Sequence, residues 1–427
     1  MDIPSTMNAG TRRVAMLLCV TTVLARPAAA QVDQQQAQEY FKDVQAVCER
    51  EGVRLWGISL CGPMVISDAR TQTIATSQPA PEGTRPRLLL GMNAPIQWGG
   101  VTWGAYDWNT LASAPPLHAK EILLHELFHG IVQQKLGLAA SELLNEHLDV
   151  MDGRYWLRLE YRALARALRE SGAQRSAAVR DALAFRDARR RLYPGSAEKE
   201  RALEINEGVA SYTGTAAAAD SVAGAIDRAV EILTGADTAE SFVRTFAYHT
   251  GPAYGLLLDA SSPGWRQRIR GTDDFPALLA AAFTVQPATD AAAAASRYGG
   301  AEIRAAEEQR DRGRQERLAD LRRQFVDGPV LVIRGGGGGS FNSMGAVVIP
   351  DVGTVFFGPY THNTESGMLR AEKGVLRETS GNVRRVPAPT RRDDTTLVGD
   401  GWTFTVKPGF VIREGPRRGD YEVVRQP

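Results

Sequence analysis

His125, Glu126 and His129, in the run "LLHELFHG" (123–130), have the types and spacing that metal-assisted hydrolysis needs. Residues four apart project from the same face of a helix, so both imidazoles can point at one ion. Glu126 projects beside them, where a carboxylate can take a proton from a water polarised by that ion. The alternative is a core helix whose histidines bond to backbone carbonyls. The remaining histidines, His118, His147, His249 and His362, show no such spacing.

Two imidazoles leave a catalytic zinc site incomplete, because such sites use three protein ligands and keep one position open. Two downstream acidic stretches compete for the third place. The nearer, "LLNEHLD" (143–149), offers Glu146, His147 and Asp149; the farther, "LEINEGVASY" (203–212), offers Glu204 and Glu207. Glu146 follows His129 at short range, but Asp152-Gly153 just beyond it reads as a turn. Glu146, His147 and Asp149 are then expected as groups that orient the ligand imidazoles.

"HELFH" followed far downstream by "NEGVASY" resembles the gluzincin metallopeptidases, whose third ligand is a Glu on a second helix. The aminopeptidase branch of that group carries an Asn-Glu-Gly-aromatic-Ala run there. Asn206, Glu207, Gly208 and Ala210 match it, with Val209 in place of the aromatic. The resemblance implies Glu207 as the ligand, with Glu204 outside the coordination sphere or solvated. It also implies an oxyanion donor: "YHTG" (248–251) has the Tyr and Gly of the family's Tyr-Glu-Lys-Gly run, which places Tyr248 in that role. Packing between helices is the other reading of Tyr248, and His249 and Tyr254 are the fallback donors. The resemblance spans residues 117 to 260. It departs from the family in the long separation between His129 and Glu207 and in lacking the Gly-x-Met-Glu-Asn run that recognises a free amine.

These residues need elements to hold them. Apolar residues recur at three and four through "LHAKEILLHELFHGIVQQKLG" (117–137), which predicts a helix stopped near Gly137. Further helices are expected at 154–171, 179–195, 196–214, 222–234, 238–248, 252–260 and 274–284. Before them, residues 31–50 predict a polar helix, and "VRLWGISLCGPMVISDARTQTIAT" (53–76) predicts a pair of strands. "TRPRLLLGMN" (84–93) and "GVTWGAYDWNTL" (100–111) are expected to add strands. The aromatic run "QWGGVTWGAYDWN" (97–109) either lines the cleft or forms an ordinary aromatic core.

Residues 299–327 alternate charges with few apolar positions and predict a solvated connecting helix. From 328 to 427, short strands between Gly-bearing turns predict a β-sandwich or small barrel. "RGGGGGSFN" (334–342) lacks the Lys-Ser or Lys-Thr of a phosphate loop and is expected to be a flexible loop without chemistry. The expected class is α+β. The chain divides into a signal (1–30), a β-rich region (31–114), a helical metal domain (115–298), a linker helix (299–327) and a β-domain (328–427).

The first thirty residues read as an export signal: Arg12 and Arg13, the apolar run "VAMLLCVTTVLA" (14–25), and an Ala-x-Ala exit ending at Ala30. The mature chain is expected to be periplasmic or secreted. There Cys48 and Cys61 either pair or stay as two buried thiols. No later run is long and apolar enough to span a membrane. A net charge of +1 gives no pull towards nucleic acid, and the basic run "RDARRRL" (186–192) is interleaved with an acid on an expected helix. Oligomeric state is not legible. The expected function is an exported Zn2+-dependent hydrolase, a metallopeptidase acting on peptide or protein substrates. The alternative is an exported binding or scaffold protein that retains a structural zinc site, with the β-domain carrying its function.

Overall fold

The computed structural model describes residues 31–83, 92–140, 143–341, 346–393 and 395–426. The export signal expected over 1–30, and the strand expected at 84–93 except its last two residues, lie outside them. The described residues form an α+β protein of two compact units. One holds the chain up to His147 together with Glu160–Ala291; the other holds Leu148–Leu159 together with Ala292 onward.

In the first unit the chain opens with α1 (Gln34–Gln45), whose Asp33 carboxylate accepts from the N–H groups of Gln35 and Gln36. Next comes α2 (Cys48–Trp56), ended by Gly57 at φ 68°. Cys48 and Cys61 form a disulfide, with their Cα atoms 5.0 Å apart. Strands β1 (Met64–Asp68), β2 (Thr73–Thr76), β3 (Ala94–Trp98) and β4 (Val101–Asp107) make a sheet of order β2-β1-β4-β3, in which β1 and β4 run parallel. The aromatic run 97–109 is core: Trp98, Trp103, Tyr106 and Trp108 are all buried. Its Tyr106 phenol donates to the Leu123 carbonyl at 2.8 Å and so pins the sheet to the helix that carries His125.

Asp107 caps α3 (Trp108–Ser113), and Pro116 opens α4 (Pro116–Leu127), where a missing N–H costs nothing. The helix expected to run on to Gly137 instead widens into a π-turn over Phe128–Gln133. Then follow α5 (Met151–Arg169), α6 (Gly172–Leu192), α7 (Ser196–Leu203), a second π-turn over Glu204–Gly208, and α8 (Val209–Ala218). Asp152-Gly153, expected as a turn, falls in the first turn of α5. After them come α9 (Val222–Gly235), α10 (Phe246–Ser261), α11 (Trp265–Arg268) and α12 (Phe275–Phe283).

Residues 239–245, expected to be helical, are turn and irregular chain, whereas the helix expected at 252–260 starts earlier, as α10 from Phe246, and runs through Pro252. A lost N–H there is tolerable because α10 is held by a close crossing: a Cβ on Gly251 would lie 2.2 Å from the Gly208 carbonyl oxygen. On the other side of α8, a Cβ on Gly214 would lie 2.7 Å from the Glu121 carbonyl oxygen of α4. These bare contacts let α8 sit close to both neighbours.

Arg186 and Arg189 of "RDARRRL" are buried, whereas Arg191 is exposed and pairs with Asp187. Arg186 binds Glu204 through both terminal nitrogens, at 2.6 and 2.7 Å, and Glu160 through Nε at 2.8 Å. Arg189 bridges Glu160 and Glu200, and Tyr254 donates to Glu160. Buried charges survive only when paired this fully.

The second unit contains Leu148–Leu159, which includes the start of α5, then α13 (Ala291–Ala295) from its second residue and α14 (Gly300–Arg322) with a π-turn over Arg323–Asp327. The charged helix is not simply solvated. Glu307 is buried and accepts from Arg154 and Arg158 at 2.9 Å each, while Leu318, Leu321 and Phe325 pack on Ile349, Val355 and Leu376. Sparse apolar positions suffice because they cluster on one sheet-facing side.

The all-β region runs β5 (Val330–Arg334), β6 (Val347–Ile349), β7 (Gly353–Phe356), β8 (Tyr360–Asn363), β9 (Gly367–Ala371), β10 (Val375–Glu378), β11 (Val383–Pro387), β12 (Arg391–Arg392), β13 (Thr396–Gly399), β14 (Trp402–Val406), β15 (Phe410–Glu414) and β16 (Tyr421–Arg425). They form two sheets, β15-β16-β5-β11-β10-β7-β6 and β12-β13-β14-β9-β8, with one core containing Leu331, Val386, Leu369 and Phe404 between them. The glycine run is not a free loop. Asn363 and Thr361 donate to the carbonyls of Gly338 and Ser340, and a Cβ on Gly337 or Gly339 would strike the β8 backbone at 2.0 Å.

Candidate metal centre

His125 lies in the last turn of α4, His129 in the π-turn that follows it, and Glu207 in the second π-turn. His129 and Glu207 thus fall in the wide turns that recur at functional sites. The packing of α8 between α4 and α10 carries Glu207 to the histidines across 78 residues of chain. His125 Nε2 and His129 Nε2 are 3.0 Å apart, and each is 3.2 Å from Glu207 Oε2. Three ligand atoms held about 2.0–2.1 Å from a tetrahedral ion would stand roughly 3.3 Å from one another. The cluster has nearly that size, so His125, His129 and Glu207 could bind a metal ion.

Hydrogen bonding sets up the donors. The Gln133 side-chain nitrogen donates to Asn206 O at 3.0 Å and Asn206 Oδ1 at 2.9 Å, which turns its oxygen towards His129 Nδ1 at 2.6 Å. Nδ1 of His129 must therefore carry the proton, and a neutral ring presents its Nε2 lone pair to the cluster. Ser211 Oγ lies 3.3 Å from His125 Nδ1 in the corresponding place. Two imidazole lone pairs and a carboxylate oxygen this close repel one another unless a proton or a metal ion stands among them.

Burial alone would raise the Glu207 carboxyl, but hydrogen bonds and charge from His125 and His129 outweigh it and hold the group far below the carboxylate range. Burial would likewise lower His129, and Glu207 beside it pushes it up instead. Glu126 Oε1 is 4.0 Å from His125 Nε2. Burial, reinforced by the Glu207 charge, raises the Glu126 carboxyl above its ordinary value against the pull of the two histidines.

Tyr248 stacks on His125 with ring centroids 5.5 Å apart and planes 13° from parallel. Its phenol is bonded to Glu207, and burial raises it well above the ordinary value, so it remains a protonated donor. His249 lines the same cleft with Nδ1 3.0 Å from the Tyr161 hydroxyl, whereas Tyr254 is fully buried on Glu160 and cannot serve as a donor.

The rival acidic residues lie elsewhere. Glu146 pairs with Lys199 at 3.2 Å, His147 meets Glu200 at 2.8 Å, and Asp149 faces Arg154 at 3.5 Å. None of them orients a ligand imidazole. Glu204 is neither solvated nor beside the imidazoles, because its position in the π-turn faces Arg186 and Thr250. The groups that do hold the rings, Gln133 and Ser211, each follow a metal-cluster residue (His129 and Glu207) by four positions. That spacing could have exposed them. Arg244, 4.0 Å from Glu207 Oε1, had no sequence signal.

A cleft of about 760 Å³ opens over the site, lined among others by His125, Glu126, Ser211 and Tyr248. Comparison with protein-family models, curated proteins and solved structures gives no match to this chain. The reading of the site therefore rests on its geometry.

Proposed function

We propose that this protein is an exported zinc-dependent hydrolase, and that it cleaves peptide bonds. The observation that carries the reading is the convergence of two imidazole Nε2 atoms and one carboxylate oxygen within 3.0–3.2 Å at the wall of an open cleft. Two histidines and a carboxylate suit zinc, and a cleft that reaches the cluster at His125 and Glu126 suits a catalytic rather than a closed structural site. The Cys48–Cys61 disulfide supports an oxidising compartment, which fits the export signal read in residues 1–30. No helix of the described residues is long and apolar enough to cross a membrane.

Held by His125, His129 and Glu207, zinc would supply Lewis acidity towards a carbonyl oxygen and towards water. Glu126 takes the proton of the attacking water, and its raised basicity and position beside the cluster suit that role. It then returns the proton to the leaving amine nitrogen. Tyr248, kept protonated by burial, turns its phenol from Glu207 to donate to negative charge on the carbonyl oxygen. Gln133 and Ser211 fix the ring planes so that both Nε2 lone pairs stay aimed inward.

The test is elemental analysis of the purified protein with Glu207→Ala and Glu126→Gln variants, combined with hydrolysis of a mixed peptide pool. About one zinc per chain is expected, lost in Glu207→Ala and kept in Glu126→Gln. Hydrolysis should fall about a thousandfold in Glu126→Gln. Zinc kept in Glu207→Ala would refute the ligand set. Zinc bound without hydrolysis by the unaltered protein would leave a binding protein in place of an enzyme.

A further inference from the structure

The cleft over the metal cluster continues one helical turn back along α4, where it is charged and aliphatic together. Glu121 precedes His125 by four residues, which is about 6 Å along the helix axis. There Arg228 of α9 binds the Glu121 carboxylate through Nε at 3.0 Å and through Nη2 at 2.9 Å. Its Nη1 reaches Glu231 at 2.9 Å, and its Nη2 also faces His118 Nδ1 at 3.1 Å. All four residues line the cleft.

Donors and acceptors at this end are unequal. A guanidinium has five N–H groups: Glu121 and Glu231 take one from each nitrogen of Arg228, and the second on Nη2 faces His118 Nδ1, which also lies 3.0 Å from Glu121 Oε2. Glu231 has the opposite surplus: its side chain is 72% exposed, and Arg228 meets only its Oε2. An anion entering here would find at most two N–H groups of Arg228 and three carboxylates, counting Glu126. A donor would find open carboxylate lone pairs. The walls leading to this end are Ile122, Ile232, Ala236 and Ala239, which offer an aliphatic passage. Aliphatic walls ending in free acceptors complement a long alkyl stem tipped with a cation.

We infer that this end of the cleft receives a lysine or arginine side chain of the substrate, and that the enzyme prefers a basic residue next to the bond it cleaves. An extended peptide advances about 3.3 Å per residue, so a side chain adjacent to the scissile bond spans the turn from His125 to Glu121. The inference deepens the peptidase reading and rests on it for the word cleavage. The cation subsite itself is testable without turnover.

The first measurement is calorimetric binding of acetyl-Ala-Ala-Lys-Ala-Ala-amide to the zinc-loaded Glu126→Gln protein, against the same peptide with norleucine for lysine. Norleucine keeps the stem and removes the charge. The lysine peptide should bind roughly fivefold tighter, as befits a partly exposed ion pair. Glu231→Gln added to this protein should abolish the difference. Gly235→Leu should weaken both peptides, because a Cβ there meets open space at the cleft wall and can fill it without a clash. Equal affinity for the lysine and norleucine peptides overturns the inference, even if the unaltered enzyme cleaves peptides. An unblocked all-alanine peptide binding as well as the lysine peptide also overturns it, in favour of a terminal amine. A lysine preference in binding, with no hydrolysis by unaltered protein, would keep the subsite and sink the peptidase reading.

Discussion

Gln133 shows how much of a metal site is decided by residues that never touch the ion. Its amide oxygen holds His129 Nδ1 at 2.6 Å, while its nitrogen is anchored on Asn206, next to Glu207. One side chain therefore sets the ring orientation at one donor and links it to the turn carrying another. Gln133→Ala should lower zinc affinity about 10- to 100-fold while the protein stays folded, as read by chelator competition. Unchanged affinity would mean that packing alone aims His129. His249 gives a pH signature at the same scale. Burial lowers it from 6.5 to about 4. Between those values the unfolded chain holds the extra proton, so stability falls as pH drops from 6.5 towards 4. Glu200, held far below its ordinary value against burial by Arg189 and its neighbours, acts in the same direction below the range of a free carboxyl. In metal-free protein, urea midpoints should therefore rise from pH 4.5 to pH 7, and His249→Gln should flatten that rise. An unaltered slope in the variant would assign the effect to the carboxylates.

The elements that carry the donors are joined where side chains are missing. Gly208 and Gly251 put the backbone of the second π-turn against α10, and Gly214 puts α8 against α4. Gly251→Ala forces a Cβ into a space 2.2 Å from a carbonyl oxygen, so the helices must separate. The expected cost is about 1–3 kcal/mol, with loss of zinc because Glu207 moves with its turn. Gly235→Ala is the matched control: it lies at φ −65°, its Cβ meets open space, and it should be neutral or slightly stabilising. Thermal unfolding with zinc retention checks both. A Gly251→Ala protein that keeps its metal at full affinity would show that Glu207 does not depend on this crossing.

At the scale of the whole molecule, the two units do not follow the order of the chain. The stretch Leu148–Leu159 belongs with the C-terminal unit although it opens a helix that continues in the unit holding His125, His129 and Glu207. Within that unit, Arg154 and Arg158 share the buried carboxylate of Glu307. A chain ending at residue 298 should therefore be less stable than the full chain, since both arginines lose that partner, at a cost of about 3 kcal/mol. Glu307→Gln in the full chain should reproduce much of the loss. Equal melting temperatures for all three proteins would show that the arginines are served without Glu307.

The sequence disclosed what short-range geometry dictates. A four-residue spacing on a helix puts His125 and His129 on one face, and alternation between Gly-bearing turns gives strands after 328. Motif context pointed to Glu207 and Tyr248, both of which lie at the cluster. Local pattern misled where packing prevailed: at Pro252, inside α10; at Glu204, turned to Arg186; and at the glycine run, laid against β8. Types and spacing along the chain determined which chemistry was available, because helix geometry repeats over four residues. Only the tertiary structure decided that Glu207 and not Glu146 meets the histidines, because that meeting depends on helix crossings closed by Gly208, Gly214 and Gly251, all more than 75 residues along the chain from His129.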